Sequence, residues 1–377
     1  MKNKKYLFIY LKTGGGHLAP ARAVSEYFKK GERNPEIMLV DGFAKSGRLV
    51  KMVIEDGYRV LQDKAQWIYE LIYAIHKLKI VSLISSSLVS IFVKNNLRKI
   101  ILEEKPDKIV IFHFFVIASV YTILREEKIN IPVIAVVTDP YSPHPIWFLN
   151  KNQTFIVFSD LLKKKCTAMG IDATRLHLFP FIIDDKYSRL ATEEDKNKYR
   201  KELGFSAKRM LLILGGGDGI PKGIQIIKKI LKGKWDYEIA FVCGRNRELY
   251  DKVRLLEEKM KTGRVKIYGY TDLVYKLISI SDLVITKCGA STFMEILISR
   301  KIPIVNNYIW EQEKGNVKFL VDNDIGIYEK RIGKLPGIVN SFFSDQSRID
   351  RVVNKIASLD FKNGLSLVAD FIKKYEQ

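Results

Sequence analysis

His17 follows three consecutive glycines, Gly14 to Gly16, which close a short apolar run at residues 6–11 (YLFIYL). A helix is expected from about Ala19, and an imidazole placed at such a strand end could take a proton from a hydroxyl. The glycines let the backbone turn sharply and bring the helix start close to a ligand. No GK[ST] follows, so the loop is not a P-loop, and Ala19 replaces the third glycine of a dinucleotide fingerprint. A second cluster, Gly215-Gly216-Gly217-Asp218-Gly219, follows LLIL and precedes a helix expected from about Pro221. The segment Thr286-Lys287-Cys288-Gly289-Ala290-Ser291-Thr292-Phe293-Met294-Glu295 follows LVIT and enters another helix, whose free N–H groups and dipole suit a diphosphate. Thr292 and Glu295 also have capping-box spacing, whereas a ribose could equally hydrogen-bond to Glu295. Residues 310–316 (WEQEKGN) place polar groups after a further strand, suited to sugar hydroxyls or to an acidic helix start. Thr138-Asp139 ends another strand and leads to His144, held between two prolines. His113 closes KIVIF between Phe112 and Phe114, a setting more typical of a core histidine than of a catalyst.

Positioning these groups requires strands that end near one another. Short, near-continuous apolar runs recur at 6–11, 37–40, 108–112, 132–137 and 154–158, then at 210–214, 237–242, 264–268, 283–286 and 302–305. Helix-periodic stretches separate them, which indicates parallel sheets covered on both faces. Each half therefore reads as a doubly wound α/β domain, with ligands at the carboxyl ends of strands. The expected division is an N-terminal domain over 1–185, a charged linker over 186–208, a C-terminal domain over 209–355 and a last helix at 356–377 that could pack back on the first domain. Residues 43–105 break the alternation: they are helix-periodic, with eleven Lys+Arg against six Asp+Glu. Within them residues 80–93 are uncharged, too short a run to cross a bilayer. They suit either a buried core helix or a monotopic surface helped by Trp67, Tyr69 and Tyr73.

The 377 residues suffice for two domains, and 47% apolar residues exclude a mainly disordered chain. Cys166, Cys243 and Cys288 are far apart and form no CxxC, which excludes a disulfide framework and a cysteine zinc site. They read as reduced, buried cytoplasmic thiols, and the first apolar run is too short for an export signal. A net charge of +21 calls for an anionic partner: nucleic acid, an acidic membrane leaflet or a phosphate-bearing substrate. The lysines are spread along the chain and no nucleic-acid reading motif accompanies them, which favours the leaflet.

Taken in order, TGGGH, VTDPYSPHPIWF, GGGDG, VCGRN, GYTD and ITKCGAST…EQEKGN resemble the monogalactosyldiacylglycerol synthases, lipid glycosyltransferases of glycosyltransferase family 28. The resemblance runs from Leu11 to about Gly326 and is most specific from Tyr268 to Asn316. It implies the GT-B fold, two Rossmann-like domains facing a central cleft, and inverting transfer of a hexose from a UDP-sugar to a membrane lipid. Galactose and diacylglycerol are favoured, with glucose and sterol as variants, and no metal or other cofactor is expected at the diphosphate. His17 would be the base, with Asp139 as second catalytic residue, and His113, His144 and Trp147 would face the acceptor. Gly16, Gly216 and Gly217 would approach the donor, Arg245 and Tyr270 the nucleotide, Ser291 and Thr292 the diphosphate. Glu295 would meet the ribose, and Gln312, Glu313 and Asn316 the hexose. Such an enzyme would lie in the cytoplasm, peripheral on the inner face of the cell membrane. The rivals are a same-fold transferase acting on a polyprenyl-linked saccharide, a UDP-sugar epimerase and, from charge alone, a nucleic-acid-binding protein.

Overall fold

The computed structural model describes residues 4–11, 15–30, 35–44, 79–233, 236–309 and 311–376, with only the backbone course given for 79–89. Trp67, Tyr69 and Tyr73 lie outside the described residues. The chain forms two compact units: residues 1–185 with 310–312 and 363–377, and residues 186–309 with 313–362.

The first unit holds a six-stranded parallel sheet built from β1 (Lys5–Tyr10), β2 (Glu36–Asp41), β3 (Lys108–Ile111), β4 (Val133–Val136), β5 (Thr154–Val157) and β6 (Leu176–Leu178), in the order β2-β1-β3-β4-β5-β6. β3, β4 and β5 are buried at every position, which is why they are near-continuously apolar and do not alternate. Helix α1 (Gly15–Lys29) starts earlier than the expected Ala19, so Gly15 and Gly16 lie in its first turn and His17 lies inside it. Pro20 also sits within α1 and is buried. Phe28 packs edge-on against Tyr6 and Phe8 of β1, which fixes the helix on the sheet. Helix α2 (Lys79–Glu104) is followed by α3 (Ile117–Glu126) and α4 (Asp160–Ala168). Among the described residues no helix is long and apolar enough to cross a membrane.

The second unit holds β7 (Met210–Leu214), β8 (Glu238–Val242), β9 (Val265–Tyr268), β10 (Leu283–Lys287), β11 (Ile302–Asn307) and β12 (Ile327–Tyr328), all parallel, in the order β12-β11-β10-β7-β8-β9. Its helices are α5 (Glu193–Leu203), α6 (Gly223–Ile230), α7 (Arg247–Met260), α8 (Val274–Ile280), α9 (Ala290–Ile298), α10 (Lys314–Asp322), α11 (Leu335–Phe343) and α12 (Gln346–Ser358). The charged stretch before β7 supplies α5, started by a capping box between Thr192 and Asp195.

Helix α13 (Leu365–Lys374) belongs to the first unit and packs on α1. Asn363 fastens its approach: the amide donates to the Ile183 carbonyl at 3.1 Å, and Oδ1 accepts from the Ile183 and Leu365 N–H groups. At its other end the Lys108 ammonium donates to the carbonyls of Ile372 and Tyr375, satisfying groups that a helix terminus leaves bare. The three cysteines are buried and free.

Candidate active site

In doubly wound sheets the crevice opens where strand order reverses, at the carboxyl ends of the two strands flanking the reversal. In the first sheet these are β1 and β3, the strands that precede His17 and His113. The two imidazoles meet with ring centroids 4.3 Å apart, and both are buried. The Nδ1 of His17 lies 2.6 Å from the Thr138 hydroxyl, which comes from the end of β4. The Nδ1 of His113 accepts the Phe115 N–H, and that of His144 accepts the Ile146 N–H, so each caps a short 3₁₀ turn. A neutral imidazole accepting at Nδ1 carries its hydrogen on Nε2. Trp147 donates its indole N–H to Asp139 at 3.3 Å, and the Gln312 amide donates to the other Asp139 oxygen at 3.1 Å. The structure thus brings His17, His113, Asp139, His144 and Trp147 together and adds Gln312 to the same group. Phe114 lies among them, stacked on His144 at 5.5 Å and edge-on to Trp147. Thr138 and Phe114 were not singled out as functional from the sequence, since neither type signals chemistry without its neighbours.

Burial pushes the His17 pKa below its ordinary 6.5, although the Asp139 charge and the Phe112 backbone carbonyl oppose the shift. Burial pushes His113 much further down, helped by the neighbouring His17. Both rings are therefore neutral near pH 7. A lowered native pKa means that the unfolded chain binds more protons below 6.5. Stability contributed by these rings is complete above that value and is lost as the pH falls towards the native pKa values. Urea midpoints should fall between about pH 7.5 and 5.5, and His113→Gln should flatten that slope. An equal slope in the variant would assign the acid sensitivity elsewhere.

In the second sheet the order reverses between β7 and β10, which precede the Gly215–Gly219 loop and the Lys287–Thr292 segment. Gly216 and Gly244 have positive φ, +80° and +61°, and the Arg245 N–H donates to the Gly217 carbonyl at 2.8 Å. These turns bring the loops after β7 and β8 into direct contact. The Arg245 guanidinium lies 4.2 Å over the Tyr270 ring, and both line an open hollow of about 320 Å³ with Gly244, Arg247, Tyr250 and Gly269. Helix α9 starts at Ala290, with Gly289 in the cap position and no side-chain cap. Thr292 is therefore the third helical residue, and the capping box suggested by Thr292 and Glu295 does not form. Glu295 sits one turn further along α9. Pro221 likewise precedes the start of α6, where Lys222 holds the cap position. Gly16 is half-buried, with nothing within 4 Å of where a Cβ would stand.

Around the start of α9 the polar groups face inward. The hydroxyl of Ser291 and the Oδ1 of Asn316 are buried without a hydrogen-bond partner among the described residues. The Asn316 amide donates to the Cys288 carbonyl at 2.8 Å. Glu313 is 6% exposed and accepts the Ile309 N–H at 2.7 Å. Lys287 was not singled out from the sequence as functional. Only the adjacency of β10 and β7 sets its side chain beside Gly216.

Comparison with known proteins agrees with this architecture. Residues 17–181 match the family model described as "Monogalactosyldiacylglycerol (MGDG) synthase", and residues 210–331 match the "Glycosyltransferase family 28 C-terminal domain". Monogalactosyldiacylglycerol synthase 2 of Arabidopsis thaliana is 25% identical over 92% of this chain and 75% of its own length. The spinach (Spinacia oleracea) enzyme is 24% identical over 94% of this chain and 69% of its own. Among solved structures, MurG of Acinetobacter baumannii has a TM-score of 0.61 at 15% identity, covering 99% of this chain and 100% of its own. Anabaena HepE in complex with UDP-glucose has a TM-score of 0.58 at 12% identity, covering 98% of each chain. With both domains in sequence order on this architecture, the chain is a glycosyltransferase of the GT-B fold, of the monogalactosyldiacylglycerol synthase-like kind.

Proposed function

We propose that the protein transfers galactose from UDP-galactose to the hydroxyl of diacylglycerol with inversion, giving a β-galactolipid. The carrying observation is the buried His17–Thr138–Asp139 group on the first sheet, within a domain matching the synthase family. In the tautomer whose Nδ1 donates to Thr138, the Nε2 of neutral His17 is the basic nitrogen that takes the acceptor proton. The Asp139 charge stabilises the imidazolium that results. The freed oxygen attacks C1 of the hexose from the face opposite UDP. The start of α9 with Ser291 and Thr292, and the backbone of Gly216 and Gly217, bind the diphosphate that leaves. Arg245 and Tyr270 hold the nucleoside, Glu295 the ribose, and Gln312 and Asn316 the hexose.

A lipid acceptor also requires access to a membrane. Ile91 and Phe92 of α2 are 67% and 48% exposed, an apolar pair that suits an interfacial helix on the inner leaflet. The positive charge is shared by both halves, with 27 Lys+Arg against 18 Asp+Glu in residues 1–185 and 36 against 24 in residues 186–377. Attraction to anionic lipid therefore acts on the whole chain and is not confined to the acceptor half.

The fold alone does not separate a transferase from an epimerase. A UDP-N-acetylglucosamine 2-epimerase from Listeria monocytogenes, named as putative, superposes with a TM-score of 0.62 at 12% identity. Incubation with labelled UDP-galactose or UDP-glucose and vesicles containing diacylglycerol, sterol or ceramide tests the reading. Label is expected in a monogalactosyl diacylglycerol. Epimerised nucleotide sugar without any labelled lipid would overturn it.

A further inference from the structure

Five groups of the second unit converge on one place. The Cε of Lys287 lies 3.9 Å from where a Cβ on Gly216 would stand, and the Thr292 hydroxyl lies 4.0 Å from the same point. The same Cε lies 3.7 Å from where a Cβ on Gly289 would stand, and an oxygen of Glu313 lies 3.3 Å from it. The Lys287 stem thus runs in front of two glycines, between the loop after β7 and the start of α9. Its ammonium stands 3.9 Å from Glu313 Oε1. The other Glu313 oxygen accepts the Ile309 N–H, and the carboxylate has almost no exposed surface. A carboxylate so engaged is poorly placed to read sugar hydroxyls and well placed to hold a cation.

We propose that Lys287 is the cation that neutralises the donor diphosphate, and that Glu313 is its positioning residue and not a reader of the hexose. The inference rests on the UDP-sugar reading above and assigns the charge balance within that site. When the bond from C1 to the β-phosphate oxygen breaks, its electron pair goes to that oxygen. The ammonium offsets the charge together with the N–H groups at the start of α9. Glu313 holds the ammonium forward, fixed in turn by the backbone at Ile309, so the cation is placed before the donor arrives.

Binding of UDP and of uridine, measured by calorimetry on the full chain, separates this role from a structural one. Lys287→Met should weaken UDP roughly 10- to 100-fold, the range of a hydrogen bond to a charged group, and leave uridine unchanged. Lys287→Arg should recover most of the affinity. Glu313→Gln keeps an acceptor for Ile309 and removes the charge. It should lower kcat by roughly tenfold or more while leaving the ratio of UDP-galactose to UDP affinity unchanged. The double variant should lose less than the product of the single losses, because the two act as one unit. UDP affinity unaltered in Lys287→Met would overturn the assignment. So would a Glu313→Gln enzyme that weakens UDP-galactose but not UDP at unchanged kcat, since that is the signature of a hexose contact. A wild-type chain that binds no UDP takes down the parent reading instead, before any variant is compared.

Discussion

His17→Ala is expected to lower turnover roughly 10²- to 10⁴-fold, the usual worth of a positioned general base. UDP affinity should stay within about twofold, because the groups proposed to hold the nucleotide lie on the second sheet. The loss should appear in kcat and kcat/KM together, as for an interaction made in the transition state. In the wild type, activity should fall only at acid pH below the ordinary histidine range, since burial lowers the imidazole's pKa and keeps the base neutral to lower pH. The residual activity of the alanine variant should lack that acid limb. Thr138→Val removes the partner 2.6 Å from Nδ1 and should produce a smaller fall, roughly tenfold, by loosening the ring. Asp139→Asn keeps a partner for Trp147 and removes the charge facing His17, so it should move the acid limb to lower pH. Turnover of His17→Ala within threefold of wild type, with UDP bound normally, would falsify the base assignment.

Gly244→Ala should abolish measurable UDP binding and destabilise the second unit. A methyl there would overlap the Gly217 carbonyl oxygen, come within 2.7 Å of the Gly217 carbonyl carbon and within 3.0 Å of the Gly216 oxygen. All are backbone atoms, so no rotamer change relieves the clash. The φ of +61° adds the cost of a left-handed residue, about 1–2 kcal/mol, to about 1–3 kcal/mol for overpacking. Relief requires the loops after β7 and β8 to separate, which breaks the Arg245–Gly217 hydrogen bond and displaces the glycines from the proposed diphosphate site. Gly263→Ala is the control: its φ is +66°, yet nothing stands within 4 Å of the added methyl. It should lose only the conformational term and bind UDP normally. Equal UDP affinity in the two variants would show that loop contact does not shape the site.

The strands were legible because burial on both faces favours unbroken apolar runs, as in VIAV of β4 and MLLIL of β7. β6 and β12 escaped notice, being LHL and IY, edge strands too short for any period to show. Helix starts were less legible. Two glycines obscure the beginning of α1, and Thr292 with Glu295 imitates a cap although α9 already begins at Ala290. Each candidate base or phosphate loop lay at a strand end and could be found in one dimension. Lys287 and Thr138 could not, because their roles depend on which strands become neighbours. Gln312 shows the same limit from the other side: its position after β11 gives no hint of its bond to Asp139.

The placement of α13 has a consequence for biosynthesis. The helix supplies a face that α1 packs against, yet it is made only after the second unit. At roughly 5–20 residues per second, the roughly 180 intervening residues delay it by about 10–35 s. By the end of that interval the second unit has every strand it needs, while the first still lacks the helix whose Lys373 lies over Phe28. The domain encoded first is therefore completed only after the second has been made, and until then α1 lacks the face it packs on.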